Sequence, residues 1–200
     1  YFVENEAECD ALFTAIPDQN FEQALIDLGI DTNPTPDGQV LTADIEGVTN
    51  LDVNNKNISD LTGIEGFIAL TGLRCALNQL TSLDVSNNIA LINLNCTFNQ
   101  LTSIDVRNGN NTDIIIFRVG ANPDLTCIYV DDIDYSTTNW TDIDPASTFL
   151  EDETECDANY TAIPDSNFEQ ALIDLGYDTA PIDGQVLTAD IEGVTNLDVN

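Results

Sequence analysis

Apolar residues recur every 21 positions in the middle of the chain. Residues 70–90 read LTGLRCALNQLTSLDVSNNIA, and residues 91–111 read LINLNCTFNQLTSIDVRNGNN. Leucine, cysteine and asparagine return at equivalent places in the two lines, as in Cys75 and Cys96. Leu73 and Cys75 are two positions apart, so their side chains should point to the same side of a short strand. The pattern therefore predicts stacked short strands with a shared core.

The shared pattern, L-x-x-L-x-C-x-x-N-x-L, is the signature of the leucine-rich repeat, whose period is about 20 to 29 residues. It predicts an α/β leucine-rich-repeat solenoid with a short parallel sheet on one face, and with Leu80, Leu83 and Val85 filling the core from the opposite side. Asn78 and Asn99 should turn inward and bond backbone groups of neighbouring turns, which are costly to bury unpaired. The two cysteines of the repeat are then small buried apolar residues.

Two less regular stretches extend the repeat. Leu51 begins a strand 22 residues before Leu73, and Phe117 follows Leu94 after 23 residues. We therefore expect about four turns of 21–23 residues. Residues 127–130 should form the closing strand.

Both ends of such an array need a cover, because the core of a terminal turn would otherwise face water. Phe21, Leu25 and Leu28 are spaced as i, i+4 and i+7, which indicates a helix with one apolar face over residues 20–28. Asp18 stands at its expected N-cap. We interpret this helix as an N-terminal cap, and residues 131–149, with the only tryptophan, as a C-terminal cap.

The sequence then begins again. Residues 161–176 repeat residues 14–29 with one change, and residues 187–200 repeat residues 41–54 without a change. We therefore divide the chain into a connector (1–13), a leucine-rich module with its caps (14–148), a second connector (149–160) and the start of a second module (161–200). Near-identical copies suit a fibre in which one interface recurs. We expect a tandem array whose modules join head to tail.

The charge restricts the possible partners and reactions. The chain has 36 acidic and four basic residues, a net charge of −32, and no histidine. Nucleic acids and anionic membranes bind basic surfaces, so neither is an expected partner, and no apolar run is long enough for membrane insertion. Without histidine there is no Ser-His-Asp triad and no histidine metal site. We expect no enzymatic activity.

Two kinds of binding site remain as candidates. The outward positions of the first sheet could form a ligand face, made of Asp52, Arg74, Ala76, Asn95, Thr97 and Arg118. Oxygen-rich segments could bind calcium, through Asp31, Asn33 and Asp37 or through Asp131, Asp132 and Asp134. The first of these segments also reads as an ordinary Pro/Gly turn. No other cofactor is expected.

The remaining cysteines suggest a disulfide. Cys9 and Cys156 occupy equivalent places in the two copies, which leaves Cys127 as the one cysteine outside the regular repeat and the connectors. In an oxidising setting such residues are disulfide candidates. We predict the bond Cys127–Cys156, with Cys9 pairing to an equivalent cysteine of an upstream module.

Several motifs together resemble a known group of proteins. IPDxNFEQALIDLG at residues 16–29, NISDLTGI at 57–64 and NQLTSLDVS at 78–86 look like surface leucine-rich-repeat proteins of Bacteroidetes, and the 21-residue turns with cysteine are similar to the cysteine-ladder internalins of Listeria. The resemblance implies an extracellular, surface-anchored or secreted adhesive protein. A structural and adhesive module of a fibre or long adhesin is the first function we expect. Recognition of a surface glycan or protein on the concave sheet is the alternative.

Overall fold

The computed structural model describes residues 12–152, 156, 160–178, 182 and 184–199. The chain divides into two compact units, residues 1–151 (unit 1) and residues 152–200 (unit 2), which we describe separately. Almost all of the predicted first connector, including Cys9, lies outside the described residues. Among the described residues, no helix combines the length and the apolar character that a membrane crossing requires.

The elements are short, as the 21-residue period demands. The strands are β1 (Phe13–Ala15), β2 (Gln39–Leu41), β3 (Asn50–Asp52), β4 (Gly72–Arg74), β5 (Ser82–Asp84), β6 (Asn93–Asn95), β7 (Ser103–Asp105), β8 (Ile116–Arg118), β9 (Cys127–Tyr129), β10 (Thr148–Leu150), β11 (Tyr160–Ala162) and β12 (Gln185–Leu187). The α-helices are α1 (Gln19–Asp27), α2 (Thr42–Ile45), α3 (Ile133–Asn139), α4 (Ser166–Leu175) and α5 (Thr188–Ile191), and 3₁₀ turns cover Ile64–Gly66 and Asn111–Asp113.

Unit 1 contains two four-stranded parallel sheets. Sheet I has the order β3-β4-β6-β8, and sheet II has the order β10-β9-β7-β5. In sheet I, each strand places its middle residue opposite the next, so that Leu51, Leu73, Leu94 and Phe117 form one row. Leu83, Ile104, Ile128 and Phe149 form the equivalent row of sheet II. Both rows are buried and belong to one hydrophobic core.

The predicted parallel pairing of the first sheet is confirmed, but the prediction of a single sheet was wrong. Leu83 does face the core, as expected, yet it does so as the centre of β5. Ser82 and Asp84 on either side are exposed, which is the alternation of a half-buried strand. Each turn therefore contributes two strands, one to each sheet.

Buried asparagines hold successive turns together. Asn99 donates to the carbonyls of Cys75 and Cys96 at 3.0 and 2.9 Å, and its Oδ1 accepts from the Leu80 amide at 3.0 Å. Asn78 and Asn122 make the same kind of contacts one turn before and one turn after. The prediction that inward asparagines satisfy backbone groups of neighbouring turns is confirmed.

Helix α1 is tied to the first turn by a single carboxylate. Asp18 Oδ1 accepts from the amides of Asn20 and Phe21, which makes it the N-cap as predicted. Its Oδ2 accepts from the amide and hydroxyl of Ser59 at 2.8 and 2.7 Å and from the amide of Asp60 at 3.1 Å. Phe21 of the helix is fully buried and lies 6.3 Å from the Phe67 ring, centroid to centroid.

The C-terminal end of unit 1 differs from expectation. Strand β9 pairs with both β7 and β10, so the closing strand of sheet II is Thr148–Leu150 and not residues 127–130. Trp140 follows α3 and is buried, with its ring stacked 4.1 Å from Phe117 and edge-on to Phe149. Phe149 and Leu150 are buried strand residues, so the second connector begins after them rather than at residue 149.

Unit 2 repeats the beginning of unit 1 in structure as well as in sequence. Strands β11 and β12 pair antiparallel in the register of β1 and β2, so that Thr161 faces Val186 as Thr14 faces Val40. Asp165 caps α4 through the amides of Asn167 and Phe168, as Asp18 caps α1. One difference is that Phe168 is 37% exposed whereas its equivalent Phe21 is fully buried.

Candidate interaction surface and cysteine sites

The candidate ligand face lies on sheet I, and the structure brings most of its residues together. Asp52, Arg74, Asn95 and Arg118 occupy one register row across β3, β4, β6 and β8. Because Leu51 and its equivalents point into the core, this neighbouring row points outward. Asp52, Arg74 and Arg118 are exposed, and Asn95 is half-buried. The sequence prediction for these four positions is consistent with their placement.

The other two predicted face residues are less available. Ala76 is only 7% exposed, so it contributes little to a ligand surface. Its amide donates to Asn54 Oδ1 at 2.7 Å, and the next residue adopts a left-handed conformation, so the chain has already left the plane of the sheet. Thr97 is half-buried, and its hydroxyl donates to Asn95 Oδ1 at 2.9 Å. The outward row of sheet I therefore ends at Arg74 and its equivalents.

The two arginines of this face are weakly paired. Arg74 lies 3.7 Å from an Asp52 oxygen, and Arg118 lies 3.8 Å from an Asp142 oxygen. Each arginine side chain is more than half exposed, so these ion pairs contribute little stability. Beside them, a shallow groove of about 360 Å³ is lined in part by Leu28, Ile30 and Arg74. The face thus offers cationic groups that a ligand could recruit.

The calcium candidates are largely occupied by hydrogen bonds of the protein. Asp31 Oδ1 accepts from the Asn33 amide, and Asp37 Oδ2 accepts from the Asn33 side chain at 2.7 Å. Asp132 caps α3 through the Tyr135 amide, and the Asp131 amide donates to Asn111. Within the described residues, no three carboxylate or thiol groups converge as metal ligands do. Calcium binding by Asp31, Asn33 and Asp37 or by Asp131, Asp132 and Asp134 stays a prediction, which calcium titration with thermal melting would test.

Glu22 is a structural residue that the sequence analysis missed. Its side chain is fully buried in α1, and its two oxygens accept from the amides of Asp37 and Gly38 at 2.6 and 2.8 Å. Glu169 of unit 2 accepts from the equivalent Gly184 amide. The loop that we interpreted as a turn or calcium segment is therefore anchored to the helix by a carboxylate. The available signal was that both copies keep this glutamate and this glycine.

The five cysteines divide into two chemical kinds. Cys75 and Cys96 are free and buried at the ends of neighbouring strands of sheet I, as the repeat predicted. Cys127 and Cys156 are both disulfide-bonded. A hydrogen bond with Cys75, together with burial, raises the pKa of Cys96 well above the ordinary thiol value of 9.0.

We predict that Cys75 and Cys96 resist alkylation in the folded protein and react only after denaturation, because the thiolate is the nucleophile. Since folding raises the pKa of Cys96, its contribution to stability should be complete below the unfolded pKa of about 8.5 and lost as pH rises through the folded pKa. The stability difference between wild type and Cys96→Ala should therefore be constant from pH 6 to 8 and shrink at higher pH. Rapid alkylation of either thiol in the native protein would contradict this prediction.

Comparison with known proteins points to internalins. Internalin J of Listeria monocytogenes serotype 4b (strain F2365) is 49% identical over 41 residues, a segment that is 20% of this chain and 4% of Internalin J. The chain thus spans a small fraction of that relative's length. No family model matches the chain.

Two solved structures are similar over 69% of this chain. The functional domain of InlJ from Listeria monocytogenes, which includes a cysteine ladder, has a TM-score of 0.48 at 27% identity over 28% of that chain. Internalin C2 from Listeria monocytogenes 4b F2365 has a TM-score of 0.37 at 18% identity over 71% of its chain. The sequence match, although short, relates the repeat of this chain to that of an internalin.

Proposed function

We propose that the chain is a structural and adhesive repeat module of an extracellular fibre or long surface adhesin. The observation that carries this proposal is the repetition of one fold in both units. Units 1 and 2 share the strand register, the helix cap and the buried glutamate, on sequences that differ at few positions. A repeated interface between identical modules is the means by which open filaments are built. The resemblance to surface leucine-rich-repeat proteins supports an extracellular location.

Within each module we propose that α1 covers the first turn. Asp18 joins the helix to Ser59 and Asp60, and Phe21 packs near Phe67, so the helix shields the start of the core. Phe168 in unit 2 shows how much of this residue stays exposed where such turns are not packed on it. We further propose that modules join head to tail, with the helix at residues 20–28 of one module near residues 131–149 of the module before it.

Electron microscopy of the native material tests the proposal. We expect unbranched rods with a repeating feature of one module. Beads separated by variable gaps would show modules on flexible tethers, and the fibre function would be wrong.

Recognition of a glycan or protein on sheet I is the second candidate. It is favoured by Arg74 and Arg118, two of only four basic residues in the chain, which stand exposed in one outward row. Loss of binding to an extracellular ligand in an Arg74→Ala, Arg118→Ala variant, with unchanged melting temperature, would support this function.

We predict that Cys127 and Cys156 are bonded to each other. Both are disulfide-bonded while Cys75 and Cys96 are free, and Cys9 could serve only one of them. Mass spectrometry of a non-reduced digest should find the crosslinked peptide pair, with Cys75 and Cys96 alkylated once the protein is denatured. A free thiol at either bonded position, or a Cys75–Cys96 crosslink, would contradict the pairing. A covalent bond here would carry tension along a fibre.

A further inference from the structure

One row of residues adopts an unusual backbone conformation at the end of sheet I. Asn55, Leu77, Phe98 and Ala121 have φ angles of 56°, 59°, 57° and 60°. They stack turn on turn, because the Leu77 amide donates to the Thr97 carbonyl at 3.0 Å and the Phe98 amide to the Gly120 carbonyl at 3.3 Å. Asparagine tolerates this left-handed region, whereas leucine and phenylalanine are disfavoured in it. Two turns therefore use a residue that is locally unfavourable.

The side chains at these two positions do not contribute to the core. Leu77 is 55% exposed and Phe98 is 60% exposed. An asparagine, as found at position 55, would suit both the backbone and the solvent better. An apolar residue kept at a strained, exposed position suggests a role outside the molecule. Leu77 and Phe98 lie on adjacent turns, so together they form one apolar ridge.

The surroundings of this ridge carry no acidic residue. We define the acid-free edge as residues 53–58, 75–80, 96–101 and 119–123. These 23 residues contain no aspartate or glutamate, although 36 of the 200 residues of the chain are acidic. Two carboxylates that contact the edge are already engaged, since Asp27 pairs with Lys56 at 3.2 Å and Asp144 accepts from the Asn122 amide at 2.7 Å.

The charge distribution selects the occupant. Two copies of a chain with a charge of −32 repel each other over most of their surfaces. The acid-free edge is a region where close approach does not bring carboxylates together, and its ridge offers apolar area to bury. We propose that this edge is a self-association surface, on which Leu77 and Phe98 of one copy pack against the same edge of a second copy. Such an isologous contact joins modules sideways and goes beyond the proposed head-to-tail array.

Sedimentation velocity of the 200-residue chain over a range of concentrations tests the proposal. We expect a monomer–dimer equilibrium that shifts toward the dimer at higher salt, because salt screens the repulsion and leaves the apolar contact intact. The double variant Leu77→Asn, Phe98→Asn should remain monomeric at every concentration. It should also melt about 2–4 °C higher than wild type, since asparagine relieves the left-handed strain. A higher melting temperature together with lost association cannot arise from misfolding.

Ile89→Asn provides the matched control. Ile89 is 63% exposed but lies outside the acid-free edge and has no positive φ. This variant should dimerise as wild type does. The proposal is overturned by a wild type that stays monomeric in both salt conditions, or by a double variant that still dimerises. It is also overturned by a monomer that binds glycans through Leu77 and Phe98. None of these outcomes alters the expected appearance of head-to-tail rods, so the two proposals fail separately.

Discussion

Replacing Asn99 by alanine should lower the free energy of unfolding of unit 1 by about 4 kcal/mol, because each buried polar group left without a partner costs about 1–3 kcal/mol. The side chain bonds the carbonyls of Cys75 and Cys96 and the amide of Leu80, and it is buried. Alanine would leave all three backbone groups unpaired inside the core. Water cannot replace the amide without opening the turn.

Trp140 makes this effect measurable in unit 1 alone. It is the only tryptophan of the chain and is buried in the aromatic cluster of unit 1. Its fluorescence during urea denaturation therefore reports the unfolding of that unit. Asn93→Ala is the control, because Asn93 lies in the same turn but is exposed, and its change should stay within about 0.5 kcal/mol. Equal losses for the two variants would show that the asparagine row is not a structural support.

This asparagine row could be predicted from the sequence because the period itself fixes it. A residue that returns every 21 positions in a stacked array must meet its own copies, so Asn78 and Asn99 had to lie one above the other. An amide at a buried turn has few ways to be satisfied other than through the backbone of its neighbours. The prediction needs only the spacing and the chemistry of the residue.

Sheet II escaped prediction, although its strands follow the same rule of alternation. Leu83 with Val85 shows the same two-residue spacing as Leu73 with Cys75. Three-residue strands, however, are too short for alternation to separate a strand from a loop that dips into the core. Only the pairing of Leu83 with Ile104 and Ile128 across turns identifies the second sheet.

The left-handed row at the end of sheet I could not be predicted for a different reason. Glycine and asparagine are the residue types that indicate positive φ, and Leu77 and Phe98 give no such signal. For the same reason Ala76 was expected on the ligand face, whereas the structure buries it. The contact of Glu22 with Asp37 and Gly38 depends on how a loop folds back on its helix, which local patterns do not encode.

Replacing Asp18 by alanine should destabilise unit 1 by about 3 kcal/mol, because a lost N-cap costs about 1 kcal/mol and orphaned amides add to it. Burial disfavours the charged form of Asp18, but the hydrogen bonds from Ser59, Phe21 and Asn20 outweigh it and hold its pKa below the ordinary value of 3.8. A lowered pKa gives stability that is present above the unfolded pKa and is lost as pH falls through the folded pKa. The difference between wild type and Asp18→Ala should therefore be full at pH 7 and shrink below about pH 4.

Asp165→Ala is the matched control that the chain itself provides. Asp165 caps α4 through the amides of Asn167 and Phe168, as Asp18 caps α1, but it is exposed and belongs to unit 2. If the extra contacts of Asp18 with Ser59 and Asp60 fasten the helix to the first turn, only Asp18→Ala should shift the Trp140 unfolding curve. A loss near 1 kcal/mol for Asp18→Ala would indicate capping of the helix alone. The helix would then not act as the cover of the leucine-rich core.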